Sequence, residues 1–143
     1  MTGQRCLEDV AVGDALEPMA KTASRAQLFL FSAATNNPHR IHYDREYAAV
    51  EGHPDVLVHG PLQGAWLSQY VAEWAGPRGR VLALSWQNRA RAFPERELTF
   101  SGSVTAIEGD IVSLEIRETD DTGAVLMPAT ARVQLPHRAG GKP

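Results

Sequence analysis

Pro61-Leu62-Gln63-Gly64-Ala65-Trp66-Leu67-Ser68-Gln69-Tyr70-Val71-Ala72-Glu73-Trp74 is the stretch that decides the fold. Proline suits the first turn of a helix, where leading N–H groups have no internal partner, and Gly76-Pro77 supplies the stop. Leu62, Ala65, Trp66, Tyr70, Val71 and Trp74 recur at helical spacing, and no charge appears before Glu73. A helix this apolar, with Gly64, Ala65, Ser68 and Ala72 interspersed, is expected to be surrounded by protein on most sides, its small residues letting neighbouring backbones approach. It reads as the central helix of one domain, with Trp66, Tyr70 and Trp74 as core.

Downstream of this helix the period changes from helical to alternating, over residues 81–91, 97–108, 111–119 and 124–135. Leu98, Phe100, Gly102, Val104 and Ala106 share one face, as do Val112, Leu114 and Ile116. Turn chemistry at Glu108-Gly109-Asp110 and Asp120-Asp121-Thr122-Gly123 suits antiparallel hairpins. Thr130, Arg132 and Gln134 are expected to face solvent opposite Ala131, Val133 and Leu135. The pattern predicts an α+β domain over residues 1–137, one antiparallel sheet wrapped on one long helix, with a flexible tail at 138–143.

Upstream, Gly13-Asp14 is a turn, and Thr22 or Ser24 caps a helix carrying Leu28, Leu30 and Phe31. Asn36-Asn37-Pro38 stops that helix, because a residue before proline is pushed out of the α region. Asp44 suits the cap of a second short helix over residues 45–50, closed by Gly52 and Pro54.

The chain has 143 residues, a formal net charge of -3 and 22% charged residues, which fits one soluble domain and leaves no electrostatic footprint for nucleic acid or an anionic membrane. No apolar run reaches the roughly 18 residues needed to span a bilayer, and Met1 to Cys6 lacks the apolar core of a signal peptide, so a cytoplasmic location is expected. Cys6 is the single cysteine, which excludes an internal disulfide and a multi-thiolate metal site.

Most of the remaining chemistry is concentrated between the two short helices and just ahead of the long one: Asn37-Pro38-His39-Arg40-Ile41-His42-Tyr43-Asp44 and Val58-His59-Gly60-Pro61-Leu62-Gln63. His39, His42 and Asp44 are all potential metal ligands, but no third-ligand motif accompanies them and no metal is expected. A Gly-x-Ser-x-Gly nucleophile motif and a glycine-rich phosphate loop are both absent. Arg40 can grip a phosphate or a substrate carboxylate, or fasten its own loop.

Residues 37–48 together with 58–63 resemble the MaoC-like acyl-thioester hydratases and dehydratases, and more narrowly the branch containing mesaconyl-CoA and methylfumaryl-CoA hydratases and mitochondrial 3-hydroxyacyl-thioester dehydratase. The resemblance implies the hot-dog fold and a hydro-lyase acting on an acyl-CoA or acyl-carrier-protein thioester without redox cofactor or metal. In such enzymes a histidine and usually an aspartate hold the water, while a His-Gly segment opens the long helix and offers a backbone N–H to the thioester carbonyl. Addition of water across an enoyl thioester needs one positioned acid/base group and a stabiliser for the enolate-like oxygen. Carried over to this chain, His42 is the expected acid/base and the Gly60 amide the oxyanion donor, with His59 lining the site. Arg40, Tyr43 and Gln63 are candidates for contact with substrate.

One position departs from the family pattern. Where the aspartate usually stands, two residues before Asn-Pro, this chain has Thr35, and His39-Arg40 are two extra residues before Ile41-His42. Asn37 can hold the water through its amide, and Asp44 can either orient the His42 imidazole or simply cap the following helix. The resemblance further implies a homodimer or larger assembly, with a homologous chain as an alternative partner. Two other functions stay open: a non-catalytic hot-dog subunit that binds an acyl chain or completes a partner's site, and an acyl thioesterase.

Overall fold

Local capping chemistry starts and stops the helices where the sequence places it. The computed structural model describes residues 3–138. Ser24 Oγ accepts the Gln27 N–H at 3.0 Å and begins α1 (Arg25–Ala34). After α1 the chain turns through Asn36, whose φ of 51° is a left-handed conformation that asparagine tolerates. Asp44 Oδ1 accepts the Tyr47 N–H at 3.1 Å and begins α2 (Arg45–Val50). The long helix α3 (Gly60–Ala75) has His59 as its N-cap and Pro61 in its first turn, and it ends at Gly76 with φ of 76°.

The five strands are β1 (Ala15–Thr22), β2 (Arg80–Trp86), β3 (Glu97–Glu108), β4 (Ile111–Thr119) and β5 (Val125–Gln134). They form one antiparallel sheet in the order β1-β3-β4-β5-β2. Leu67, Val71, Tyr70 and Trp74 of α3 are buried in one core with Leu98, Phe100, Leu114, Ile116, Met127 and Val133 of the sheet. Each such side chain removed from water stabilises the fold by about 1.5–3 kcal/mol before entropy is counted. A sheet wrapped around one long helix is the expected hot-dog arrangement.

Four local expectations change. Strand β2 stops at Trp86 instead of continuing to Arg91; the 87–92 segment then crosses toward the start of α3, where the Val58 N–H donates to the Ala92 carbonyl at 2.9 Å. A register shift between Val104 and Ala106 reverses the inward face of β3, so that Ile107, paired with Val112, packs on the core in place of Ala106. Gln134 is half-buried, donating to Asp110 Oδ2 at 2.7 Å. The start of the anticipated tail is tied down, since the Arg138 N–H and His137 Nδ1 both bond Glu8 and the Arg138 guanidinium meets Asp9; residues 139–143 lie outside the described residues.

The long helix is also less enclosed than its composition implies. Pro61, Ala65, Ser68, Gln69, Ala72 and Glu73 form an exposed stripe, and the adjoining edge strand β2 exposes Val81, Leu82 and Trp86. Among the described residues no helix is long and apolar enough to cross a membrane.

Candidate active site

The loop between α1 and α2 is strapped at several points. Tyr43 Oη donates to the Pro38 carbonyl at 2.7 Å, the His39 N–H donates to Asn37 Oδ1 at 3.4 Å, and the Leu57 N–H donates to the Ile41 carbonyl at 2.9 Å. In return His42 Nδ1 lies 2.9 Å from the Leu57 carbonyl oxygen. A carbonyl only accepts, so Nδ1 carries the proton and Nε2 is left as the basic lone pair of the neutral ring. Half-burial holds the His42 imidazole below its ordinary value of 6.5; the Leu57 bond works against this and the nearby His39 adds to it.

Beneath His42 lies a second imidazole. The rings of His42 and His59 are stacked, 3.7 Å between centroids and 18° from parallel. His59 is fully buried, with Nε2 2.8 Å from Ser32 Oγ and Nδ1 without a partner. Burial, with His42 beside it, pushes the His59 imidazole down to about 4. Two protonated rings at this separation would repel strongly, so the pair carries at most one proton near neutrality.

His59 immediately precedes Gly60, and this brings the acid/base candidate alongside the oxyanion candidate. Pro61 has no N–H, the Leu62 and Gln63 N–H groups both donate to the His59 carbonyl, and among the described residues the Gly60 amide has no acceptor. A free amide at the head of a 16-residue helix carries the positive end of the helix dipole. A neighbour that the sequence does not reveal crowds this glycine: a Cβ on Gly60 would lie 2.6 Å from Asn88 Nδ2, so a larger residue there needs the exposed Asn88 side chain to shift. Gly60→Ala is expected to fold with Asn88 displaced and to lose about 10-fold in kcat/KM through misplacement. Asn88→Ala in the same chain should recover part of that loss; no recovery would put the obstruction on the substrate instead.

Asp44, Arg40 and Gln63 are held in contacts within the protein, whereas Tyr43 and Asn37 line hollows. Asp44 caps α2 and accepts from Arg40 Nε at 3.0 Å and Nη2 at 2.6 Å. Its carboxyl is held below the ordinary range, first by the Tyr47 N–H and then by Arg40. Asp44 thus makes the cap, and the group bonded to His42 Nδ1 is the Leu57 carbonyl. Arg40, paired with Asp44, also lies 4.5 Å over the Tyr47 ring, so it fastens the loop. Gln63 is buried, its Nε2 donating to the Val58 and His59 carbonyls at 3.2 and 3.4 Å, and thus braces the backbone ahead of α3 without facing outward. Tyr43 lines a hollow of about 190 Å³ with Phe29, Ser32, Ala33, Asn36 and Pro38. Asn37 faces a different hollow, with Pro38, His39, Arg40 and Tyr47.

Residues 13–94, from the turn before β1 through both motifs to the segment after β2, match the family of type 2 hydroxyacyl-thioester dehydratases. The chain belongs to that family. It is similar to mesaconyl-C(4)-CoA hydratase of Chloroflexus aurantiacus, 36% identical over 107 residues, which are 74% of this chain but only 36% of that protein. The chain therefore spans little more than a third of that relative's length. It is also similar to the beta subunit of 3-oxo-4,17-pregnadiene-20-carboxyl-CoA hydratase of Mycobacterium tuberculosis, 27% identical over 105 residues, 73% of this chain and 79% of the relative. Among solved structures, the (R)-hydratase from A. caviae superposes with a TM-score of 0.82 at 25% identity, covering 90% of this chain and 99% of that one. The fold and the hydratase/dehydratase family thus agree with the resemblance carried by the two motifs.

At the position where the resemblance implies an aspartate, Thr35 turns its Oγ1 back to the Phe31 carbonyl at 2.6 Å and is exposed. Among the described residues no group of three or more histidine, cysteine, aspartate or glutamate side chains is placed to hold a metal ion. Three participants are not singled out by the sequence. Ser32 has a signal, a polar residue four positions after buried Leu28 on the same helix face. The Leu57 carbonyl is main chain, and Asn88 lies in an exposed polar run, so neither carries one.

Proposed function

We propose that this chain is a hydro-lyase that interconverts a 2-enoyl thioester and its 3-hydroxyacyl thioester, carried on coenzyme A or an acyl-carrier protein. The observation that supports it most is the neutral His42 ring, its Nε2 lone pair free, stacked on the residue directly before the unpaired Gly60 amide. In the hydration direction His42 Nε2 takes a proton from water as the water oxygen bonds to C3. The C2–C3 π electrons pass to the thioester oxygen, where the Gly60 N–H stabilises the developing charge. His42 then returns its proton to C2 as the thioester carbonyl re-forms. Dehydration is the reverse sequence.

The test is loss of enoyl ultraviolet absorbance against a panel of enoyl thioesters, including branched dicarboxylic ones, with free thiol followed in parallel. Release of thiol without loss of the alkene would select the thioesterase reading. Because protonation of Nε2 removes the base and His42 is held below 6.5, hydration kcat/KM should fall with acid through a midpoint below 6.5. A limb centred above that value would count against His42 as the base.

A second reading, that the chain is one subunit of a heteromeric hydratase, is favoured by the turned-away Thr35 hydroxyl and by the beta-subunit relative. The exposed α3 stripe and the apolar β2 edge support self-association or pairing with a homologous chain. Sedimentation at micromolar concentration distinguishes these states from a monomer. Activity only after addition of a homologous chain would select the heteromer.

A further inference from the structure

We propose that Ser32 and His59 are positioning residues: a buried platform that holds the His42 imidazole on the Leu57 carbonyl, and with it fixes the direction of Nε2. The proposal rests on the reading of His42 as the acid/base group. A single hydrogen bond from Nδ1 to the Leu57 carbonyl does not by itself keep the imidazole on that oxygen: the ring can swing away and exchange its tautomer. A second flat ring at 3.7 Å and 18° removes that freedom.

The platform is itself anchored. Its main chain is the N-cap of α3, where the His59 carbonyl accepts the Leu62 and Gln63 N–H groups, both at 3.1 Å. Its ring meets Ser32 Oγ at 2.8 Å and the Phe31 ring at 4.8 Å, both from α1. Ser32 is itself buried, three residues before Thr35, the C-cap of the same helix. A carboxylate partner would orient the catalytic ring and also raise its basicity; a carbonyl and a neutral stacked ring orient it while leaving it weakly basic. The helix that carries no aspartate at Thr35 thus contributes to the site through Ser32, and the contribution is geometric. Orientation of this kind shows in kcat more than in KM, since ring placement matters most as the proton moves.

The experiment compares the full chain, labelled with ¹⁵N-histidine, with Ser32→Ala, His59→Phe and His59→Leu, reading the His42 tautomer by NMR and steady-state kinetics on an enoyl thioester. Wild type and His59→Phe should both hold His42 in the Nδ1–H form, because phenylalanine supplies a flat face that needs no polar partner. Ser32→Ala leaves both His59 nitrogens unpaired, and His59→Leu removes the flat face. Both should give a tautomer mixture and lower kcat by about 10-fold with KM changed less than about twofold. An unchanged His42 tautomer in Ser32→Ala and His59→Leu overturns the proposal, as does a His59→Phe variant as impaired as His59→Leu. If His59→Leu does not fold, Ser32→Ala decides alone, since it deletes one oxygen. If wild type turns over no enoyl thioester, the hydro-lyase reading fails, while the tautomer comparison still decides whether the platform exists.

Discussion

Replacing His42 with alanine is expected to lower kcat/KM for enoyl-thioester hydration by about 10²–10⁴-fold, the usual weight of a positioned acid/base group. The same change also exposes a face of His59 and strips the Leu57 carbonyl of its donor. His42→Phe separates these effects, because a phenyl ring can keep the stack while carrying no nitrogen. Both variants should be inactive to a similar degree and should retain the helix and strand content of wild type by circular dichroism. Turnover within a few-fold of wild type in both would remove His42 from the mechanism, whatever the fold. A loss confined to His42→Ala would mean that ring packing, not proton transfer, was the contribution.

The second large effect concerns a residue outside the candidate site. Glu118 of β4 points into the core between its cross-strand neighbours Phe100 and Met127, fully buried, with both carboxylate oxygens unpartnered. Burial pushes its carboxyl up from 4.5 to about 7, so the folded state binds this proton more tightly than the unfolded chain does. Stability is therefore greatest, for this group, below 4.5 and declines as pH rises to about 7, by about 3 kcal/mol in all. Glu118→Gln should erase that decline and make the variant more stable than wild type at pH 8 by up to about 3 kcal/mol. His59 has the opposite sign: with its folded value near 4 and an ordinary value of 6.5, it costs stability as pH falls through that interval. The two slopes offset each other between about 4.5 and 6.5 in wild type, and Glu118→Gln should unmask the histidine's acid sensitivity. Urea midpoints at pH 4.5, 6 and 8 measure this directly; parallel curves for variant and wild type would rule it out.

Features built from near neighbours are legible in the residue order. Ser24, Asp44, Pro61 and Gly76 act within one helical turn, so their residue types alone announce the helix ends. The bounds of β3 and β4 follow from alternation and from the turns that flank them. By contrast, the shift after Val104 inserts one residue into one strand of a pair, and alternation alone does not record where the phase slips. The candidate site is half readable: His42 and Gly60 stand in recognisable motifs, but the bond between Ser32 and His59 joins residues 27 positions apart. The Asp44 cap and the Arg40 pair are local and lie among the roles their residue types allow, whereas the Leu57 carbonyl belongs to the backbone and has no letter.

Gly64 sits so close to β2 that a Cβ there would come within 2.5 Å of Trp86 Cζ2. A ring lodged against a bare helix backbone works as a gauge: it limits how closely helix and edge strand approach. The Gly60 amide is one turn upstream on the same rigid rod, and Asn88 is two residues beyond the ring. Error in the donor's position is thus bounded by the tolerance of aromatic packing, a few tenths of an ångström, and not by the play of a loop. On the reading of Gly60 as the oxyanion donor, that placement would be lost by adding a single methyl group four residues away, with every candidate catalytic side chain still present.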